Sequence, residues 1–148
     1  MNILFVHQNF PGQYLHLARH LAAQPGNRVV CVTQRKNASL PGIGKVLYRP
    51  QRGITPHVHH YLRGTEAGVL NAQGVVRAAL ELKTSGFVPD VMLGHNGWGE
   101  IWYLKDVFPT TPLIGYFEFF YRASGATVGF DPEEAVGFDV LPRVRTRN

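Results

Sequence analysis

The sequence predicts an open α/β fold, in which a mainly parallel sheet carries helices on both faces. Short apolar runs alternate with stretches in which apolar residues recur every three or four positions, as strands and helices do when they follow in turn. The strand-like runs are apolar throughout their middles, which is typical of parallel strands covered on both faces. With 148 residues, the chain is expected to form one domain, residues 1–148, around a sizeable core.

The first three elements are predicted to be a strand, a helix and a second strand. Asn2–Val6 and Arg28–Thr33 are the strand-like runs. Between them, apolar residues at helical spacing predict a helix that ends at residues 24–27. The only cysteine, Cys31, falls in the second strand, so we expect a buried thiol, no disulfide and a reducing, cytoplasmic setting.

The middle of the chain is predicted to add two strands and a long helix. Residues 45–49 alternate between apolar and polar, as a strand nearer the sheet edge does. Apolar residues at helical spacing predict a largely buried helix over residues 65–84, with Gly86 as its C-terminal cap. Residues 91–93 then predict the fourth strand.

The last third of the chain has weaker patterns. A short helix is predicted up to Pro109, and a fifth strand begins after Pro112. Residues 138–142 are expected to form a short strand, and residues 143–148 no closing element.

We expect the usual strand order of such sheets, 3-2-1-4-5. The first and fourth strands are then neighbours, and the chain reverses its direction of winding between them. Ligands bind at this switch point, at the carboxyl ends of the strands. The loops over residues 7–13 and 94–100, with Glu118 after the fifth strand, are therefore predicted to form one side of a binding cleft.

The first loop leads through Gly12 and Gln13 into a helix. Free backbone N–H groups at a helix start can bind an anion, and a glycine lets a ligand approach the backbone closely. The loop has too few glycines for a dinucleotide fingerprint and no P-loop lysine follows it. An ordinary turn that merely starts a helix explains it equally well.

The second loop contains more side chains that could bind or react with a ligand. His95 can exchange a proton near neutral pH, Trp98 offers a flat face for a carbohydrate ring, and Glu100 can bind a sugar hydroxyl or a cation. The structural alternative makes Trp98 a core anchor, with His95 bonded to backbone and Glu100 compensating a helix N-terminus.

The third loop places Glu118 among the aromatic residues Phe117, Phe119, Phe120 and Tyr121. A carboxylate in such surroundings needs a dedicated partner or has a raised pKa. A functional carboxylate and a structural ion pair with Arg122 both remain open.

Composition and charge weigh against several classes of function. The net charge is +5, but Lys and Arg are mostly dispersed and no nucleic-acid motif accompanies them, so an anionic small molecule, phosphate or membrane surface is favoured over nucleic acid. No window approaches the ~18 consecutive apolar residues of a membrane span, and no signal peptide is evident.

No metal site is predicted. His16 and His20 stand one turn apart, but no third ligand is placed nearby. A surface loop explains His57, His59 and His60 better than a contact with metal or phosphate does.

Four spaced motifs resemble the N-terminal domain of family 4 glycosyltransferases, and together they span nearly the whole chain. They read HQNFPGQ at residues 7–13, GFVPDVMLGHNGWGE at 86–100, LKDVFP at 104–109 and YFEFFY at 116–121, with GFDP beyond at 129–132.

This resemblance implies the GT-B architecture, in which two Rossmann-like domains face each other across a cleft. The N-terminal domain mostly holds the acceptor and the C-terminal one the nucleotide-sugar donor. Such enzymes typically retain anomeric configuration and need no metal or other cofactor. The donor-side motifs have no counterpart here, so the chain is expected to be a fragment of a longer protein and inactive alone.

The resemblance also implies roles for the loop residues. His95 and Glu118 are the expected catalytic residues, through positioning of a hydroxyl. The expected substrate-binding residues are Asn9, Gly12, Gln13, Trp98, Gly99, Glu100 and Tyr121. The acceptor is expected to be a sugar or a lipid-linked sugar, with peripheral contact at the inner face of the membrane left open. Two other classes remain: a stand-alone module that binds a carbohydrate or an anionic small molecule without catalysis, and a hydrolase that uses His95 with Glu118.

Overall fold

The computed structural model describes residues 1–118, 120–122, 124–126 and 128–147. These residues form a five-stranded sheet in the order β3-β2-β1-β4-β5, with every strand pair parallel. Both the predicted fold class and the predicted strand order are therefore confirmed. The strands are β1 (Asn2–Val6), β2 (Arg28–Thr33), β3 (Ile43–Leu47), β4 (Val91–His95) and β5 (Leu113–Tyr116).

Helices cover both faces of this sheet. The helices are α1 (Leu15–Ala23), α2 (Arg63–Thr84), α3 (Leu104–Val107) and α4 (Val140–Arg147), and short 3-10 turns at Gly12–Tyr14 and His60–Leu62 precede α1 and α2. As predicted, Gly86 adopts a left-handed φ of +83° just after α2, a conformation that favours glycine.

Two apolar layers hold α1, α2 and α3 to the sheet. Successive side chains of a strand point to opposite faces, so Leu4 and Val6 of β1 pack with α2 and α3, whereas Ile3 and Phe5 pack with α1. Cys31 lies in the α1 layer and is 2% exposed, which confirms its predicted place in the core. Because β1 is buried on both sides, the polar residues that follow it are held on a rigid base.

Two predicted elements differ from the structure. The third strand lies at the sheet edge as predicted, but at Ile43–Leu47 and not at residues 45–49. The strand predicted over residues 138–142 is wrong, because helix α4 begins at Val140. Pro142 lies in the first turn of this helix, where the missing N–H of proline costs no helical hydrogen bond. None of the described helices is both long and apolar enough to cross a membrane.

Candidate active site at the carboxyl edge of the sheet

The carboxyl ends of β1, β4 and β5 bring three polar side chains together. His7 follows β1 directly, His95 is the last residue of β4, and Glu118 lies two residues beyond β5. Parallel pairing of β1 with β4 and of β4 with β5 puts all three at the same edge of the sheet. The predicted meeting of these loops is thus present in the structure.

His95 is buried and hydrogen-bonded on both ring nitrogens. Its Nδ1 accepts a hydrogen bond from the Gly97 N–H at 3.0 Å. The proton of the neutral imidazole therefore sits on Nε2, which lies 3.0 Å from Oε2 of Glu118. The side chain of His95 is 4% exposed and that of Glu118 is 50% exposed. His95 accordingly holds a carboxylate that remains open to solvent.

A second donor reaches the other oxygen of Glu118. The side-chain amide of Gln13 donates to Oε1 at 3.0 Å. Hydrogen bonds from His95, first, and Gln13 lower the pKa of the Glu118 carboxyl below its ordinary 4.5, so the group is ionised at neutral pH. These partners are not the Arg122 considered from the sequence, and the described residues contain no Arg122–Glu118 ion pair.

His7 is a site residue that the sequence interpretation did not select. The residue is 5% exposed, and its Nδ1 accepts from the Asn9 N–H at 3.0 Å. The ring lies 5.6 Å from that of His95, centroid to centroid, at an interplanar angle of 88°. Burial, and next the neighbouring His95, lower the pKa of His7 below 6.5. Its place directly after a buried strand was the sequence signal that could have identified it.

Glu100 lies beneath the site and is closed off from solvent. It is 1% exposed, and its Oε1 accepts from the Gln8 N–H at 2.9 Å and from the Tyr48 hydroxyl at 3.0 Å. Burial raises the pKa of its carboxyl above 4.5, against the effect of these hydrogen bonds. Oε2 is buried and has no hydrogen-bond partner among the described residues. Binding of substrate by Glu100 stays a prediction.

Trp98 presents an exposed ring beside His95. It is 44% exposed, and the two rings lie 6.4 Å apart at an interplanar angle of 28°. Its backbone carbonyl accepts from the side-chain amide of Asn71 on α2 at 3.0 Å. The indole therefore presents an exposed aromatic face beside His95.

The remaining predicted residues have different surroundings. Gly99, with φ +86°, packs against the backbone of Gly68 on α2, so it fixes the loop to that helix. Asn9 is exposed and Tyr121 is partly buried. Phe119, from the same predicted motif as Tyr121, lies outside the described residues.

The described part of the chain contains no group of three or more His, Cys, Asp or Glu side chains that could hold a metal ion. His16 and His20 are both exposed on α1.

The sequence of the chain matches a known protein family. The sequence model of a family described as the glycosyl transferase family 4 group matches residues 25–148, which include β2 to β5 and the loops that carry His95 and Glu118. Residues 7–13 precede the matched range. No curated protein sequence matches the chain.

Proposed function

The chain belongs to the glycosyl transferase family 4 group, and from this premise we propose that it is the acceptor-side domain of an enzyme that moves a sugar from a nucleotide-sugar donor to an acceptor hydroxyl. In this proposal, residues 1–148 form the N-terminal half of a GT-B enzyme, and a second Rossmann-like domain binds most of the donor. Alone, the chain binds acceptor but does not transfer sugar.

The Glu118 carboxylate is the observation that carries this proposal. It is ionised, half exposed, and held on each oxygen by one donor, His95 on Oε2 and Gln13 on Oε1. A carboxylate oxygen has two lone-pair sites, so each oxygen can still accept one more hydrogen bond. A sugar hydroxyl is a donor of the right size for this position.

The proposed chemistry is the positioning of the attacking hydroxyl. Glu118 accepts the hydrogen bond of that hydroxyl and directs the oxygen lone pair toward the anomeric carbon of the donor sugar. His95 keeps the carboxylate in place, because its own orientation is set by the Gly97 N–H. The Trp98 face stacks on the apolar face of the acceptor ring.

The finer parts of the proposal rest on the family resemblance. Transfer is proposed to retain anomeric configuration and to need no metal. The enzyme is proposed to act in the cytoplasm, in peripheral contact with the inner face of the membrane when the acceptor is lipid-linked. Activity in the presence of a chelator, and the anomeric configuration of the product, test the first two points directly.

Acceptor binding is the first experiment, because it does not need the donor domain. The chain has two tryptophans, so a Trp102→Phe background leaves Trp98 as the only indole fluorophore. Maltose and methyl glucoside serve as probes. We expect saturable quenching of Trp98, and weaker binding by about tenfold or more after Glu118→Gln, which removes a hydrogen bond to a charged group.

The matched control is Glu134→Gln, which changes an exposed carboxylate that lies outside the three loops of the site. It is expected to bind as the parent chain does. The role given to Glu118 would be refuted if neither maltose nor methyl glucoside quenched Trp98. It would also be refuted if Glu118→Gln and Glu134→Gln changed binding equally. Incubation of the chain with labelled nucleotide-sugars and acceptors tests the domain assignment, because measurable turnover would contradict it.

A further inference from the structure

At the carboxyl edge of the sheet, the backbone of Gln8 is hydrogen-bonded through both its N–H and its carbonyl. Its N–H donates to Oε1 of Glu100 at 2.9 Å. Its carbonyl accepts from the Thr33 hydroxyl at 2.8 Å and from the Gln34 N–H at 3.0 Å. The loop after β1 is thereby tied to the end of β2 on one side and to the loop after β4 on the other.

The same backbone segment helps to position His7, whose own N–H donates to the Val32 carbonyl at 3.1 Å. Gln8 lies between His7 and Asn9, and the Asn9 N–H donates to Nδ1 of His7. The His7 ring in turn packs against the ring of His95. Because Gln8 joins His7 to Asn9, a displacement of Gln8 is expected to loosen the packing of His7 against His95.

Three hydrogen bonds hold the backbone of Gln8. Of these, the one to Glu100 comes from the loop that carries His95. One carboxylate oxygen satisfies two donors, the partly buried Gln8 N–H and the hydroxyl of Tyr48, which is 2% exposed. A side chain of similar size without an acceptor would leave both donors without this partner, which is costly. A carboxamide would keep the acceptor oxygen.

We propose that Glu100 is a positioning residue which, through the Gln8 amide, holds His7 against His95 at the edge that presents Glu118. The inference deepens the proposed function and rests on it for the use of this edge in acceptor binding. Glu100 acts here through its hydrogen bond to the Gln8 N–H, and this role does not depend on contact between its own carboxylate and the acceptor.

The test is an NMR titration of the His7 imidazole in the full 148-residue chain. In the parent protein, burial and His95 hold the pKa of His7 below 6.5. After Glu100→Met, we expect this pKa to rise toward 6.5 and the nuclear Overhauser contact between the two rings to weaken. Glu100→Gln is expected to keep both features, because its amide oxygen still accepts from Gln8.

Tyr48→Phe is the matched control, because it removes the other donor to the same oxygen and leaves the Gln8 bond in place. A role confined to core stability predicts similar effects of Tyr48→Phe and Glu100→Met on His7, and that result would overturn the proposal. So would an unchanged His7 titration in a folded Glu100→Met protein.

Hydrogen exchange in the unsubstituted chain keeps the proposal testable if Glu100→Met does not fold. The Gln8 amide is expected to exchange at least about tenfold more slowly than the amide of exposed Gly53. Equally fast exchange would show that Glu100 does not hold the loop. Neither measurement involves a ligand, so failure of maltose binding would count against the proposed function alone.

Discussion

Gly12 lies directly against the imidazole of His7. A Cβ added at Gly12 would lie 2.8 Å from Cε1 and 3.1 Å from Nε2 of that ring, and Gly12 has a left-handed φ of +46°. Glycine is therefore required here for two separate reasons, the backbone conformation and the close approach. The backbone of the loop covers His7 and contributes to its burial.

Gly12→Ala is expected to destabilise the protein more than Gly26→Ala does. Gly26 also has a positive φ, +81°, but nothing lies within 4 Å of an added Cβ there, so it reports the backbone strain alone. The extra loss at Gly12 should be about 1–3 kcal/mol, because the imidazole has to move. Urea unfolding curves of the two variants measure the difference. Equal losses in the free energy of unfolding would show that the His7 imidazole moves aside at no energetic cost.

His95 and Glu118 are expected to act as one unit in acceptor binding. His95→Phe and Glu118→Gln should each weaken maltose binding, whereas the double variant should bind little worse than either single one, because residues in contact are not additive. Trp98 fluorescence in the Trp102→Phe background gives the dissociation constants. If the two losses simply add, then His95 does not act through the carboxylate.

Glu100→Gln is expected to change how stability depends on pH. Burial raises the pKa of the Glu100 carboxyl above 4.5, so the folded chain holds this proton more tightly than the unfolded chain does. The free energy of unfolding therefore falls as pH rises from 4.5 to the folded pKa, by at most about 1.4 kcal/mol per pH unit. The variant lacks this decrease.

The measured quantity is the difference in unfolding free energy between Glu100→Gln and the parent chain. As pH rises above 4.5, the variant should become more stable relative to the parent chain. Glu134→Gln should show no such trend. A difference that stays constant with pH would mean that Glu100 titrates as it does in the unfolded chain.

Cys31 is expected to resist thiol reagents in the folded chain. It is 2% exposed, and burial raises the pKa of its thiol to about 11, so little thiolate is present at pH 8. Labelling with Ellman's reagent should be slow in buffer and rapid in urea. Rapid labelling of the folded chain would show that the α1 layer opens readily.

The buried elements could be predicted because their patterns are local. β1 and β2 are short apolar runs with the bounds expected of them, and α2 has apolar residues at helical spacing over most of its length. The edge strand β3 was harder to place, since a half-exposed strand alternates loosely. Pairing with β2, in which Thr33 lies beside Leu47, sets its register.

The C-terminal helix was missed for a similar reason. An apolar stretch that ends in alternating Arg residues fits a short strand as well as a helix. In the structure, Asp139 accepts a hydrogen bond from the Tyr61 hydroxyl at 2.7 Å and lies 3.0 Å from Nε2 of His60, so the start of α4 meets the turn before α2. That contact depends on residues nearly eighty positions away.

The sequence by itself determined the order of strands and helices, and hence that residues after β1, β4 and β5 would share one edge, because parallel strands joined by helices point their carboxyl ends the same way. Only the tertiary structure decided which side chains meet there. It paired Glu118 with His95 and Gln13, brought His7 into the cluster and buried Glu100 below it. A hydrogen bond requires atoms to lie within about 3 Å in a defined direction, and spacing along the chain does not specify that.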